Sequence, residues 1–500
     1  MISDVLVVGA GPVGLTMAAE LARYGVPTRI IDKAAQRTDK SKALVLWSRS
    51  LELIDRMGCS QSFVNAGLKV TAANIIAGNR EIGHVRLDTM ETPHPYALML
   101  PQSETERLME QHLSACGVRV ERQVELVRFV PDADKVTVTL RHEDGQEEVL
   151  QVAWLIGCDG AHSAVRHGLG MEFEGDTLPS DWILADVHLA GVRTKPDEIN
   201  TYWHSDGVLA MFPMSPGRYR VIADAGDAHD NTHRPDPTLE EVQAVLDQRG
   251  PGGITASSPI WLASFRINER KVADYRAGRA FLAGDAAHVH SPAGGQGMNT
   301  GMQDACNLAW KLALVCRGVA VREPLLDSYS IERSAVGRQV LADAGHLTTL
   351  AILKSGVLKE VRNHVASLVF GLSPVRKAMA NKFAELSIGY PASPLTRSGP
   401  HVHGGPAAGQ RTPVADNAHP VGAGSTPRFA LFAHSAPEGA ALVGRHRQLL
   451  EPGFRAPFAE SGIWLVRPDG YVAMVAGRGG WDDIDDYLQR VAAGAHGGKG

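Results

Sequence analysis

Near its N-terminus the chain reads DVLVVGAGPVGLTMAAELARYGVPTRIID over residues 4–32, and that order leaves few folds open. Val5 to Val8 form a short apolar run that ends at glycine, which predicts a buried strand. Gly9, Gly11 and Gly14 follow at GxGxxG spacing, with Pro12 inside the turn. Leu15, Ala18, Ala19, Leu21 and Ala22 then recur with helical period, and Thr28 to Ile31 predict a second strand ending in Asp32. Strand, glycine turn, helix and strand with an acid at its tip make a dinucleotide-binding unit. Gly9 permits the tight turn, Gly11 lets backbone approach a pyrophosphate, and Gly14 lets helix and strand pack closely. The helix N-terminus then faces the phosphates, and Asp32 is placed to grip a ribose hydroxyl. This motif alone does not separate FAD from NAD.

Composition narrows the partner. The 500 residues are 44% hydrophobic and 21% charged, with a formal net charge of -5, as in ordinary globular proteins. No long block of like charge invites nucleic acid or an anionic membrane, so the expected partner is a small molecule. The apolar start lacks the basic flank and cleavage site of a secretory signal, and no apolar run reaches membrane-spanning length. A cytoplasmic location is therefore expected. Cys59, Cys116, Cys158, Cys306 and Cys316 are scattered without a CxxC pair and read as reduced structural thiols. The HxH pairs His288/His290 and His401/His403 have no cysteine or acid cluster at ligand spacing, so no metal is expected.

Two further segments carry chemistry. WLIGCDGAHSAVRHGLG follows an apolar strand and supplies Asp159, Gly160, Ser163 and Arg166. FLAGDAAHVHSPAGGQGMNTGMQDACNLAWKL, residues 281–312, sets Gly284 and Asp285 at a strand end and runs through a glycine-rich loop into a helix-periodic segment. Singly, each reads as a strand end, a turn or a helix cap. Together, and in this order, they resemble the group A flavoprotein monooxygenases, the FAD-dependent aromatic hydroxylases of the para-hydroxybenzoate hydroxylase fold. The matching segments are GAGPVG, CDGAHSAVR, GRAFLAGDAAHVHSPAGGQGMNTGMQDACNLAWKL and LLDSYSIERSAV, and the resemblance covers at least residues 1–340.

The resemblance implies noncovalent FAD, held by Gly9, Gly11, Pro12, Gly14, Asp32, Lys33, Lys42, Gln102, Asp159, Gly284, Asp285, Pro292, Gly295, Gly297, Met298 and Asn299. Asp32 would hold the adenosine ribose, where many relatives carry glutamate. Lys33 and Lys42 stand where arginines are common and lose bidentate phosphate geometry. Gln102 and Asp285 would contact the ribityl chain. The loop at Gly294, Gly295 and Gly297 would pass beside the flavin ring, where side chains would obstruct it. The helix from about Gly297 would aim its N-terminus at the flavin N1 and C2 carbonyl, favouring an anionic reduced flavin by up to ~2 kcal/mol. Pro292, Gly294 and Gly295 are the implied catalytic positions, with the Pro292 carbonyl near the flavin C4a-hydroperoxide.

The implied reaction hydroxylates an aromatic, phenolic or polyketide-type substrate with O2 and either NADPH or NADH. No second GxGxxG exists for the nicotinamide cofactor, and Arg166 and Lys42 are candidate contacts for its transient binding. Baeyer-Villiger oxygenation, or a flavin-binding sensor without turnover, remain alternatives on the same fold.

The expected fold is α/β: a Rossmann-type FAD-binding domain (1–72, 99–177 and 271–390, with a helical extension over 347–390), an inserted antiparallel-sheet substrate domain (73–98 and 178–270), a linker at 391–407 and a thioredoxin-like C-terminal domain over 408–492. Residues 493–500 are expected to be disordered, and the protein to be a monomer or homodimer. Alternating patterns in the inserted segment make Tyr202, Trp203, His204, Met211 and Phe212 candidate substrate contacts, though period-two alternation turns only some of them inward. Arg220 and Arg266 are candidates either for an anionic substrate or for pairing with acids. The C-terminal segment has no cysteine, which excludes thiol redox chemistry and leaves packing or oligomerisation.

Overall fold

A computed structural model describes residues 4–78, 80–227, 234–292, 294–352, 372–397, 399, 402–414 and 419–492. The N-terminal unit forms as its sequence requires. Val5–Val8 lies parallel to Thr28–Asp32 on one side and to Trp154–Gly157 on the other. These strands sit in a six-stranded sheet ordered Arg276–Ala277, Ala280–Leu282, Trp154–Gly157, Val5–Val8, Thr28–Asp32, Val120–Arg122. Every residue of Val5–Val8 is buried, as a parallel strand covered on both faces should be. Helix Pro12–Arg23 packs against helix Gly297–Cys316, which is buried from Asn299 through Leu314. Their approach is close because Gly301 has no side chain: a Cβ there would lie 2.6 Å from Val13 and 3.0 Å from the Gly284 Cα.

A second sheet has eight strands, ordered His288–Val289, Thr255–Lys271, Glu174–Ala190, Arg218–Asp227, Gly207–Ser215, Glu198–His204, Ala72–Ala77, Arg80–Arg86. The expectation of an antiparallel sheet is corrected at one pairing, where Glu198–His204 runs parallel to Ala72–Ala77. These strands come from distant segments, so no hairpin dictates their relative direction. One face of the sheet packs on helix Leu239–Arg249 around Tyr202, Leu209, Met211 and Val221.

The last 70 or so described residues build a four-stranded sheet. Phe429–Phe432 runs parallel to Leu450–Arg455 across helix Pro437–Arg445, then antiparallel to Gly462–Val466, which pairs with Val472–Gly477 before helix Trp481–Ala492. The Pro- and Gly-rich stretch expected as a linker packs onto the protein: Ser393 and Leu395 are buried, and Ser393 donates to Glu332. Further along, the Arg397 N–H donates to the Ala473 carbonyl (2.9 Å), so the stretch bonds to both units. Of the helical extension expected over 347–390, the structure describes Asp327–Ile352 and Ser373–Phe383. Residues 353–371, His401 and the tail at 493–500 lie outside the described residues. Among the described residues, no helix is long and apolar enough to cross a membrane, and no group of three or more His, Cys, Asp or Glu is arranged to hold a metal.

Candidate active site

The GxGxxG turn is fixed by contacts that admit no side chain. Gly9 has φ +98°, and a Cβ there would fall 2.4 Å from the Cys158 carbonyl oxygen. A Cβ on Gly14 would fall 1.9 Å from the Gly9 carbonyl oxygen. Gly11 differs, since a Cβ there meets nothing within 4 Å. It faces a cleft of about 250 Å³ lined also by Asp32, Arg37, Lys42, Gln102, Glu106 and Arg122. Pro12 opens the helix at its first position, where a missing N–H costs nothing. Asp32 accepts from the Ala10 N–H (2.7 Å) and the Ala34 N–H (2.8 Å), so its carboxylate is held at the cleft mouth.

Lys42 lines this cleft, but Lys33 does not and is exposed. The cleft instead takes Arg37 and Arg122, which sequence reading missed. Arg122 ends the strand beside Thr28–Asp32, so sheet order, not the motif, brings it there. Gln102 lines the cleft while bridging its walls: its Oε1 accepts from the Ala43 N–H (3.1 Å) and its Nε2 donates to Glu106 (2.9 Å).

Asp159 and Arg166 serve the fold. The Asp159 carboxylate accepts from the Ser163 hydroxyl (2.5 Å) and the Ala164 N–H (2.7 Å), capping a short helix whose Ser163 also accepts from the Arg166 N–H. Arg166, expected at a nicotinamide groove, is buried: it donates to the Ala286 carbonyl (3.3 Å) and lies 3.8 Å over the Phe173 ring.

The GD segment is braced from behind. Asp304 accepts from the Gly284 N–H (2.9 Å), His288 (2.8 Å) and Arg333 (2.6 Å), all buried. His288 is therefore a bracing group, and His290 is held neutral, its pKa pushed down to about 4 by burial. Asp285 differs from its neighbours. Its carboxylate makes no hydrogen bond to any described residue and reaches solvent on one side, yet the protein around it raises its pKa.

The glycine loop reaches the second space. Gly294 and Gly295 have φ +88° and +63°, a conformation L side chains rarely adopt. The Gly295 N–H donates to the Pro292 carbonyl (2.9 Å), closing a turn. Trp47 Nε1 donates to the Gly294 carbonyl (2.9 Å). Asn299 ties the first turn of helix Gly297–Cys316 to a neighbouring strand: its Nδ2 donates to the carbonyls of Val45 (2.8 Å) and Gly295 (3.0 Å), and its Oδ1 accepts from the Trp47 N–H (2.8 Å). Asn299 thus acts on the loop, with its side chain fully occupied. Met298 packs partly buried against the core, and Gly297 has open space except for the His290 ring 3.5 Å from a Cβ. No side chain caps the N-terminus of this helix, which leaves first-turn amides for a ligand.

Pro292 and Gly294 edge a cavity of about 190 Å³ walled by Trp47, Trp182, Trp203, Phe212 and Phe383, with Ile75, Ile222 and Ile267. Among the described residues, no charged side chain lines it. Of the substrate candidates, Trp203 and Phe212 face this cavity, whereas Tyr202, His204 and Met211 do not. Tyr202 and Met211 pack under helix Leu239–Arg249 on the other face of the sheet, and His204 lies beside Asp206 at 3.5 Å. Alternation decides this, since Thr201, Trp203, Ala210 and Phe212 share the opposite face. Arg220 and Arg266 pair with acids: Arg220 with buried Asp186 and Arg266 with Asp181, each at 2.8 Å. Arg220 also donates to the Lys42 carbonyl (2.8 Å), which ties the large sheet to the cleft wall.

An extended dinucleotide fits these residues. The open face of Gly11, the unbonded Asp285 carboxylate and the uncapped helix amides each lack a partner that FAD possesses. The family described as FAD binding domain matches residues 3–344, and the chain belongs to it. The chain is 39% identical to 6-methylpretetramide 4-monooxygenase of Streptomyces rimosus over 79% of its own length and 71% of that protein. It is 32% identical to a 12-dehydrotetracycline 5-monooxygenase/anhydrotetracycline 6-monooxygenase of Streptomyces rimosus subsp. rimosus, over 97% and 98% of the two chains. In structure it is similar to the anhydrotetracycline hydroxylase OxyS from Streptomyces rimosus, with a TM-score of 0.79, 28% identity and coverage of 98% and 99%. The chain is an FAD-dependent aromatic monooxygenase.

Proposed function

We propose that the chain hydroxylates a flat, uncharged polycyclic phenol of polyketide type, seated in the cavity between Trp47 and Phe212. The observation that carries this reading is the cavity wall, five aromatic side chains with no charge among them. Such a wall stacks on a planar ring system and offers a carboxylate no counter-ion. Gly9, Gly11, Pro12, Gly14, Asp32, Lys42 and Gln102 would hold the adenosine and pyrophosphate side of FAD, with Arg37 and Arg122. Gly284, Asp285 and the amides of Gly297, Met298 and Asn299 would hold the flavin side. When bound, FAD supplies electron transfer from NADPH or NADH and activation of O2. Pro292, Gly294 and Gly295 shape the reacting edge, and the aromatic walls exclude water from it.

The division of the chain into an FAD-binding domain, an inserted substrate domain and a thioredoxin-like C-terminal domain is part of the same proposal. The β-α-β-β-β-α order of the last segment, with its first two strands parallel, favours it. Five free cysteines and the consumption of NADPH or NADH favour a cytoplasmic location.

The substrate class is tested with the holoenzyme, comparing alizarin, a planar dihydroxyanthraquinone without a carboxylate, with para-hydroxybenzoate. Alizarin should accelerate NAD(P)H oxidation and gain one atom from labelled O2. Turnover of para-hydroxybenzoate with none of alizarin would reject the reading. Asp285→Ala should weaken FAD binding about tenfold, the loss of one charge-assisted hydrogen bond, while leaving the apoprotein Tm unchanged. Unaltered FAD affinity would remove Asp285 from the site.

A further inference from the structure

The cavity wall beside the glycine loop is held from the far end of the chain. Trp47 precedes helix Ser48–Met57, and its ring stacks near that of Phe383 (centroids 6.2 Å apart, 18° between planes). Two residues on, Arg49 is buried and makes three kinds of contact. Its backbone N–H donates to the Ala384 carbonyl (3.2 Å), next to Phe383. Its guanidinium donates to Glu52 (2.8 Å) and to the Asp469 carbonyl (2.6 Å), and lies 4.9 Å over the Tyr471 ring. Two turns later Arg56 donates to the Pro468 carbonyl (2.5 Å).

The turn that receives these bonds belongs to the C-terminal unit and is itself immobilised. Arg467 binds Glu332 through both terminal nitrogens (2.6 and 2.9 Å) and Asp469 at 2.5 Å. Asp469 accepts from Trp310 (3.2 Å), and Glu332 accepts from Lys311 (2.8 Å), both on the helix that begins at Gly297. All these groups are buried. A buried ionic network is costly unless fully bonded, and when bonded it fixes geometry. Here it sets helix Gly297–Cys316 and helix Ser48–Met57 against one rigid turn, and the N-terminal ends of both helices frame the cavity.

We propose that Arg49 is a positioning residue, through which the Arg467–Gly470 turn of the C-terminal unit holds the Trp47–Phe383 wall against the glycine loop. A C-terminal unit without cysteine thereby takes part in substrate binding without touching substrate. This rests on the reading that the cavity holds the substrate.

A double-mutant cycle on the holoenzyme tests it, with alizarin as probe and its Kd as readout, and FAD content and Tm recorded for each variant. Trp47→Phe should weaken alizarin binding about fivefold by freeing the Gly294 carbonyl. Arg49→Lys should weaken it about threefold, Arg49→Met more, and Arg49→Lys with Trp47→Phe no more than Trp47→Phe alone, because one acts through the other. Additive effects, or a lowered Tm with unchanged Kd in Arg49→Lys, would overturn the proposal. Unchanged Kd in Trp47→Phe would instead overturn the cavity reading beneath it. Should Arg49→Lys not fold, Tyr471→Leu removes the ring beneath the guanidinium without altering charge, and the same non-additivity is required of it.

Discussion

The charged cleft at Asp32 and the apolar cavity at Trp47 are constructed on different principles. The cleft is largely a property of main chain. Its turn is dictated by Gly9 and Gly14, each pressed against backbone, and its acid is locked by two backbone amides. The cavity is a property of side chains from widely separated stretches, around residues 47, 75, 85, 182, 199–222, 267 and 383. A backbone-defined site tolerates little local change and is nearly independent of distant packing. A side-chain-defined site is retuned by whatever holds its elements together.

That contrast is broken most severely at Gly14. Gly14→Ala places a Cβ 1.9 Å from the Gly9 carbonyl oxygen, so backbone must shift, at a cost of ~1–3 kcal/mol or more. The expected product is protein without flavin and with a lowered Tm, read from the ratio of flavin to protein absorbance. A yellow, stable Gly14→Ala enzyme would mean that the turn is more pliant than its contacts imply.

Gly295→Val probes the boundary between the two regions. A β-branched residue at φ +63° carries ~1–2 kcal/mol of strain, and its Cβ would lie 3.3 Å from Val45. Either FAD is lost, or NAD(P)H oxidation continues with hydrogen peroxide replacing hydroxylated product. Full coupling in this variant would show that the loop does not approach the reacting edge.

Behind the cavity, Glu385 offers a smaller and pH-dependent test. It is buried at φ +58°, accepts from the Thr300 hydroxyl (2.7 Å) and from Gln303, and burial pushes its pKa up to about 8 from 4.5. A raised carboxyl keeps its proton in the folded state while the unfolded chain ionises. Its stabilising contribution is therefore complete below about 4.5 and is lost as pH rises toward about 8. Glu385→Gln, which keeps the shape, should flatten the dependence of Tm on pH across that interval. An unchanged slope would assign the proton elsewhere.

The smallest effect is expected on the open face of the C-terminal unit. His434 is half exposed and its partner Glu460 is 89% exposed, at 2.8 Å. Such a pair is worth little, so His434→Ala should leave turnover nearly unchanged and move stability by no more than ~0.5 kcal/mol. A large loss of turnover would extend the influence of this unit beyond the Arg467–Gly470 turn.

What the sequence by itself determined is local and conformational. The βαβ unit, the positive φ of the glycine loop and the apolar parallel strands are fixed by which residues tolerate which backbone shapes, and those preferences act within a few positions. Asp32 was legible at the cleft for that reason, and Lys42 only through the family resemblance. Tertiary structure alone decided the rest. Arg122 reached the cleft through strand order, Arg166 turned inward onto Phe173, and Tyr202 and Met211 took the covered face of their sheet while Phe212 took the cavity. Period two fixes that neighbours oppose one another but not which face is roofed by a helix, and the bond from Arg49 to Asp469 spans 420 positions. Contacts of that separation are set by how whole elements pack, and no short stretch of residues encodes them.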